Sequence, residues 1–286
     1  MNALNSLANR VFDVLLSPLD AVGAWLSLIL VSGIFGVLAL VVFKHISWQA
    51  GIKSTKDKIK GHMIEIRIYQ DDLGLVSKAI GKVLYRNLQY VVLNFGPFLP
   101  LMVPFGMVAA QLVVRYGFEP VAVQSIEGDR LAGQGTTFEI EFTPEGKRAA
   151  GDLVVTLPDG VVAVSPLVRI PDRGRAFIEV IATQPGIHEI IFTSGTHTET
   201  KMFHAGTEGL EREMQPERGR GFLAALLWPA ERAFTGDSPF ELIRTVYPER
   251  ALGWIPGSGP IGVLIAFVLL SMVFGFIALK PLGVQI

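Results

Sequence analysis

The chain has 286 residues, half of them hydrophobic and only 18% charged, with a formal net charge of −1 and no cysteine. Ordinary soluble domains carry about 25% charged residues, and the lack of thiols excludes disulfides, thiolate metal centres and cysteine nucleophiles. The near-neutral total conceals two opposed regions: residues 44–88 hold nine Lys/Arg against four Asp/Glu, whereas residues 116–257 hold 13 against 20.

Residues 1–20 read as an amphipathic helix lying in a membrane interface. Leu4, Leu7, Ala8, Val11, Phe12, Leu15 and Leu16 recur at three- and four-residue spacing, while Asn5, Asn9, Arg10 and Asp13 fall on the other face. Pro18 is the expected end, and a disordered tail is the alternative. Residues 21–43 then run without a charge, as do residues 90–114 and 261–279. At 1.5 Å per residue these reach roughly 34, 37 and 28 Å, against a hydrocarbon core of about 30 Å, so three membrane helices are expected over 21–43, 89–115 and 258–286. The first is preceded by Arg10, Asp13 and Asp20 rather than by a basic cluster, and is expected to stay as an anchor rather than be cleaved.

Residues 44–88 carry two apolar stripes, one of Ile52, Ile59, Met63 and Ile66, the other of Leu75/Val76, Ala79/Ile80, Val83/Leu84 and Leu88. Asp71-Asp72-Leu73-Gly74 between them supplies a turn and an N-cap. A helical hairpin packed stripe to stripe satisfies the pattern; two helices lying flat with lysines on headgroups is the alternative. Lys and Arg beside a span are retained in the cytoplasm. The hairpin is therefore expected inside, the N-terminus outside, and the C-terminus, after Lys280, inside. A bacterial inner membrane is the expected location.

Pro97, Pro100 and Pro104 interrupt the second span, which predicts either a kinked helix or a broken one facing protein or a wet groove. From 118 to 205 the period changes to two, most cleanly in Thr137-Phe138-Glu139-Ile140-Glu141-Phe142-Thr143. Six more strands are predicted at 121–126, 152–157, 161–170, 175–183, 187–193 and 198–204, divided by Pro/Gly/Asp turns. Seven short strands at this spacing predict an extracytoplasmic β-sandwich of immunoglobulin or fibronectin type III architecture. Residues 206–257 read as a linker and a membrane-surface segment, with Trp228 and Trp254 at the outer leaflet. The fold class is thus membrane α plus β.

No phosphate loop, Gly-x-Ser-x-Gly elbow, His-Glu-x-x-His or dinucleotide fingerprint is present, so no enzymatic activity and no cofactor are expected. His197 and Glu199 share a strand face, but no third ligand accompanies them, and no metal is expected. The basic segment lacks a stacking platform for nucleic acid. Ser32, Asn94, Gln111 and Ser271 lie within the spans and Arg115 closes the second. They form either a hydrophilic groove or interhelical hydrogen bonds.

In order, an N-out first helix, a basic cytoplasmic hairpin, a proline-broken second helix and a third helix returning inward resemble the YidC-type membrane insertase superfamily, including its archaeal and endoplasmic-reticulum relatives. The segments that carry the resemblance are 21–43, 53–88, 89–115 and 261–280, under half of the chain. It implies a polar groove that lets a nascent or client membrane protein enter a thinned bilayer, with Asn94, Gln111, Arg115, Ser32 and Ser271 as groove candidates. It also implies that Lys53, Lys56, Lys58 and Lys60 form the cytoplasmic contact. Two departures stand out: Arg115 sits at the outer end of its span rather than within it, and about 140 residues separate the second and third helices. Insertion or folding of membrane proteins is therefore one expected function. The other is a scaffold or assembly subunit whose sandwich binds an extracytoplasmic partner.

Overall fold

A computed structural model describes residues 2–20, 23–125, 135–206, 213–253 and 256–284. Trp254, residue 126 of the first predicted strand and part of the predicted linker fall outside these. The chain divides into two compact units, Met1–Ser27 with Gly106–Ala266 and Leu28–Phe105 with Phe267–Ile286.

Among the described residues, three stretches are long and apolar enough to cross a membrane: α2 (Ala24–Ile46), α4 (Leu73–Phe95) continued by α5 (Phe98–Tyr116), and α7 (Gly259–Leu282). Of the three prolines in the second, Pro97 lies at the break between α4 and α5. Pro100 falls in the first turn of α5, where no backbone donor is needed, and only Pro104 sits in the helix interior.

In the second unit α2 and α7 approach closely. A Cβ on Gly36 would stand 2.2 Å from the Ser271 carbonyl oxygen, so only glycine fits. Phe35 meets Phe267 and Phe105 at ring-centroid distances of 5.1 and 5.9 Å. Leu40, Phe43 and Val284 form a further buried cluster. Helix α3 (Gln49–Ile68) packs along α4 across the turn at 69–72. Asp72 caps α4 as its sequence predicts, accepting from the Gly74 and Leu75 amides at 2.9 and 3.0 Å. Only one member of each predicted apolar pair is packed: Val76, Ala79 and Val83 turn inward, whereas Leu75, Ile80, Leu84 and Leu88 are exposed. Helix α4 then runs through position 88 without interruption to Phe95.

The first unit holds helix α1 (Asn2–Asp20), which continues past Pro18, and two antiparallel sheets. One sheet contains β1 (Thr136–Phe142), β3 (Val161–Ala163), β4 (Val168–Ile170), β5 (Arg175–Ala182), β8 (Glu217–Gly219) and β9 (Phe240–Arg244). Its order is β3-β5-β1-β9-β8, with β4 also on β5. The other is β2 (Val154–Thr156), β6 (Gly186–Ser194) and β7 (His197–Ala205), in the order β2-β6-β7. Phe138 of β1 meets Phe192 of β6 and Phe203 of β7 at 6.1 and 5.4 Å, so aromatic side chains of the two sheets share one core. The other side of β1 carries charge: Arg175 bridges Glu141 at 2.7 Å, and Arg244 bridges Glu217 at 2.7 Å and Glu139 at 3.7 Å.

Three departures from the predicted strands have physical causes. Residues 161–170 form two strands rather than one, because Ser165-Pro166 interrupts a stretch where proline cannot donate. Among the described residues 121–125, Val121 bridges Ala205 and Val123 bridges Ala182, each singly. The region read as linker supplies β8, β9 and helix α6 (Gly221–Leu227).

Candidate functional site

Gln111 and Arg115 lie four residues apart on α5 and therefore share one face. Both are buried, at 2% and 6% exposure. The Gln111 Nε2 donates to Asn9 Oδ1 at 2.5 Å. The Arg115 guanidinium pairs with Asp13 at 2.9 Å, donates to the Asn9 carbonyl at 3.4 Å, and pairs with Glu213. Burial pushes the Glu213 carboxyl above the usual range. Arg115 opposes that shift and Asp13 adds to it. The cluster is thus a cation held between two carboxylates, closed by an amide pair.

Helix α1 reaches this cluster through a row of amides. Asn2, Asn5 and Asn9 recur at three and four residues, one face of a helix. Asn5 Nδ2 donates to the Ala225 carbonyl at 2.6 Å and Asn9 Nδ2 to the Pro229 carbonyl at 3.1 Å. Asn2 exchanges bonds with the Ala233 backbone, accepting at 3.2 Å and donating at 3.4 Å. The carbonyls at 225, 229 and 233 belong to the end of α6 and the irregular chain after it, where strand ladders do not supply donors. Asn5 is 6% and Leu16 0% exposed, whereas Leu7, Val11, Val14 and Leu15 are 47–77% exposed. The docked face of α1 is thus the one that carries the asparagines, with Leu16 beside them.

The same chain segment is held from its other side. Lys201 of β7, fully buried, pairs with Glu231 and donates to the Gln215 carbonyl at 2.5 Å. Burial draws its ammonium below the usual lysine range, and Glu231 offsets this only in part. Glu231 also accepts from the Met202 amide at 3.2 Å. Arg218 donates to the Arg232 carbonyl at 2.7 Å and bridges Glu199 at 2.9 Å. That bridge engages the carboxylate considered with His197 for a metal. Among the described residues no three His, Asp or Glu side chains are grouped so as to hold a metal ion. A cavity of about 270 Å³ lies between α1 and this segment, edged by Asn5, Asn9, Asp13, Glu213 and Glu231.

The remaining span residues belong to the second unit. Ser271 Oγ donates to the Ser32 carbonyl at 3.1 Å, joining α7 to α2. Asn94 donates within its own helix, to Tyr90 at 2.8 Å, and its Oδ1 is buried without a partner among the described residues. The structure therefore brings together Gln111 with Arg115, and Ser32 with Ser271, while Asn94 is in neither set. Lys53, Lys56, Lys58 and Lys60 are all exposed on α3. Trp228 turns its indole N–H to Glu217 at 3.2 Å and is only partly exposed.

Asn2, Glu213, Lys201 and Glu231 escaped the sequence reading. The Asn2-Asn5-Asn9 spacing was the one signal available for α1; Lys201 and Glu231 are 30 residues apart and share no local pattern. No family model matches this sequence, and no curated protein is significantly similar to it.

Proposed function

We propose that this chain is an integral membrane protein that assists insertion or folding of other membrane proteins without enzymatic chemistry, as its resemblance to the YidC-type superfamily implies. In this reading α2, α4–α5 and α7 are the three spans and α3–α4 is a cytoplasmic hairpin. The two sheets form an immunoglobulin-like sandwich outside the cytoplasm. The observation that carries the reading is the surface of α4. Ile80, Leu84 and Leu88 are exposed on α4, which packs along the lysine-bearing α3, and α4 continues unbroken to Val91, Val92 and Phe95, also exposed. It ends at the Gly96-Pro97 break, after which Phe98, Leu99, Met102 and Val103 are exposed in turn.

A client segment would meet cations and open apolar side chains on the hairpin, then an apolar track leading to interrupted backbone. Interrupted backbone in hydrocarbon leaves carbonyls that cost several kcal/mol each unless satisfied, and a polar client group can satisfy them. Photo-crosslinking probes at Leu84 and Met102 in the full chain test this: nascent membrane proteins captured at both support it, and lipid alone at both refutes it.

The scaffold reading is favoured by a different observation. Gln111 and Arg115 are engaged by Asn9, Asp13 and Glu213 of the same chain rather than held open for a client. Depletion followed by membrane proteomics separates the two: broad loss of small membrane proteins favours insertion, and loss of a single complex favours scaffolding.

A further inference from the structure

We infer that α1 is seated on bilayer lipid through Leu7, Val11, Val14 and Leu15, while its asparagine row locks it to the β-rich unit, so that this helix fixes how that unit stands on the membrane surface. The inference rests on the reading of α2 as a span and adds a lipid contact that the insertion activity does not require.

Three observations carry it. A helix with one polar and one apolar face ordinarily turns the apolar face to its protein core. Here the face with Asn2, Asn5 and Asn9 is bonded to the Ala225, Pro229 and Ala233 backbone, with Leu16 buried beside it, and the face with Leu7, Val11, Val14 and Leu15 is open. That face therefore needs an apolar solvent, or it would lie exposed to water along more than two turns. Next, only residues 21–23 separate α1 from α2. Extended chain covers at most about 3.6 Å per residue, so the end of α1 stays within roughly 14 Å of the start of a 23-residue apolar helix. Finally, α6, which touches α1, leaves Phe222, Leu223 and Leu227 exposed as well. Residues 2–20 carry one Arg and two Asp, so the attraction is apolar and does not depend on anionic headgroups.

A helix that lay on lipid with its amides in the headgroups could roll and slide. One whose amides are fixed to the unit above it cannot. The asparagine row thereby converts membrane binding into orientation.

The chain has no native cysteine, so single-cysteine spin labels report cleanly. The full chain is reconstituted in phosphatidylcholine vesicles with labels at Leu7→Cys, Val11→Cys or Val14→Cys, with Ile34→Cys in α2 and Asp159→Cys on an exposed turn as references. The expected result is access to oxygen and loss of access to a water-soluble nickel chelate, as for Ile34→Cys, with no change when anionic lipid is added. Chelate access equal to that of Asp159→Cys overturns the inference. So does shielding from both reagents, which indicates a protein partner, and so does spin–spin broadening that vanishes on dilution with unlabelled chain, which indicates a second copy. If Ile34→Cys is itself reached by the chelate, the span reading fails as well; if only the α1 positions are reached, this inference alone fails. The lock is read separately: the Val11–Asp159 label distance is sharp in the parent and broadens in N5L/N9L. A distance distribution that stays sharp in that variant overturns the lock.

Discussion

Helix α1 turns Asn2, Asn5 and Asn9 toward protein and leaves Leu7, Val11, Val14 and Leu15 open, whereas α4 turns Val76, Ala79 and Val83 toward α3 and leaves Lys78 and Lys82 outside. Both are amphipathic by the same periodicity. The difference lies in what each neighbour offers. Helix α3 presents Ile52, Thr55 and Ile59, and an apolar seam is the stable answer. The chain after α6 presents carbonyls without donors, and a buried carbonyl left unpaired costs about 1–3 kcal/mol. Three such groups outweigh the usual preference for burying leucine when the leucines have lipid to face. Amphipathicity specifies that a helix has two faces; the neighbour specifies which of them docks.

The contrast can be broken most severely at Arg115. Arg115→Met leaves Glu213, 17% exposed, beside Asp13 with no cation. A partner stranded this way costs about 3–5 kcal/mol. A drop of that size in the unfolding free energy in detergent, with faster hydrogen exchange in 213–216, is expected. At the other interface Ala79→Leu forces extra methyl groups into a fully buried seam position, for a loss of about 1–3 kcal/mol. The thermal midpoint should fall while exchange in 225–233 stays unchanged. Asn5→Leu makes the complementary change: it makes α1 more apolar yet strands the Ala225 carbonyl. We expect a loss of about 1–2 kcal/mol, read as faster exchange at 225–229 with the α3–α4 pair unaffected. If Asn5→Leu stabilised the chain, the polar docking of α1 would be wrong.

The smallest effect is in pH. Because the folded-state pKa of Glu213 lies above the ordinary glutamate value of 4.5, its contribution is fully present below that value and is lost as pH rises through the raised one. Glu213→Gln, which keeps an acceptor and removes the charge, should flatten the midpoint above pH 4.5 relative to the parent. A parent and variant with parallel curves would show that Glu213 titrates normally.

The parts of this fold that could be read in advance are those decided within one element. The three apolar helices follow from charge-free length, β1 from its alternation of Phe138, Ile140 and Phe142, and the start of α4 from Asp72. Strand β9 shows why another part was hidden. Phe240 and Ile243 are both fully buried although three residues apart, because the pairing with β1 slips between Glu141 and Phe142. A bulge of this kind erases the period of two. The partners of Gln111 and Arg115 were hidden for another reason: Asn9 and Glu213 lie 102 and 98 residues away. Nothing in the local pattern of α5 separates a glutamine aimed at a groove from one aimed at α1.

The continuity of α4 has a mechanical consequence. Its 23 residues form a rod of about 34 Å with no proline inside it. Pivoting at Gly96-Pro97, a tilt of about 10° displaces the far end near Leu73 by about 6 Å, given that length. The rod would behave as a lever: a load applied at the α3–α4 turn arrives at the fulcrum as torque rather than being absorbed by bending along the way.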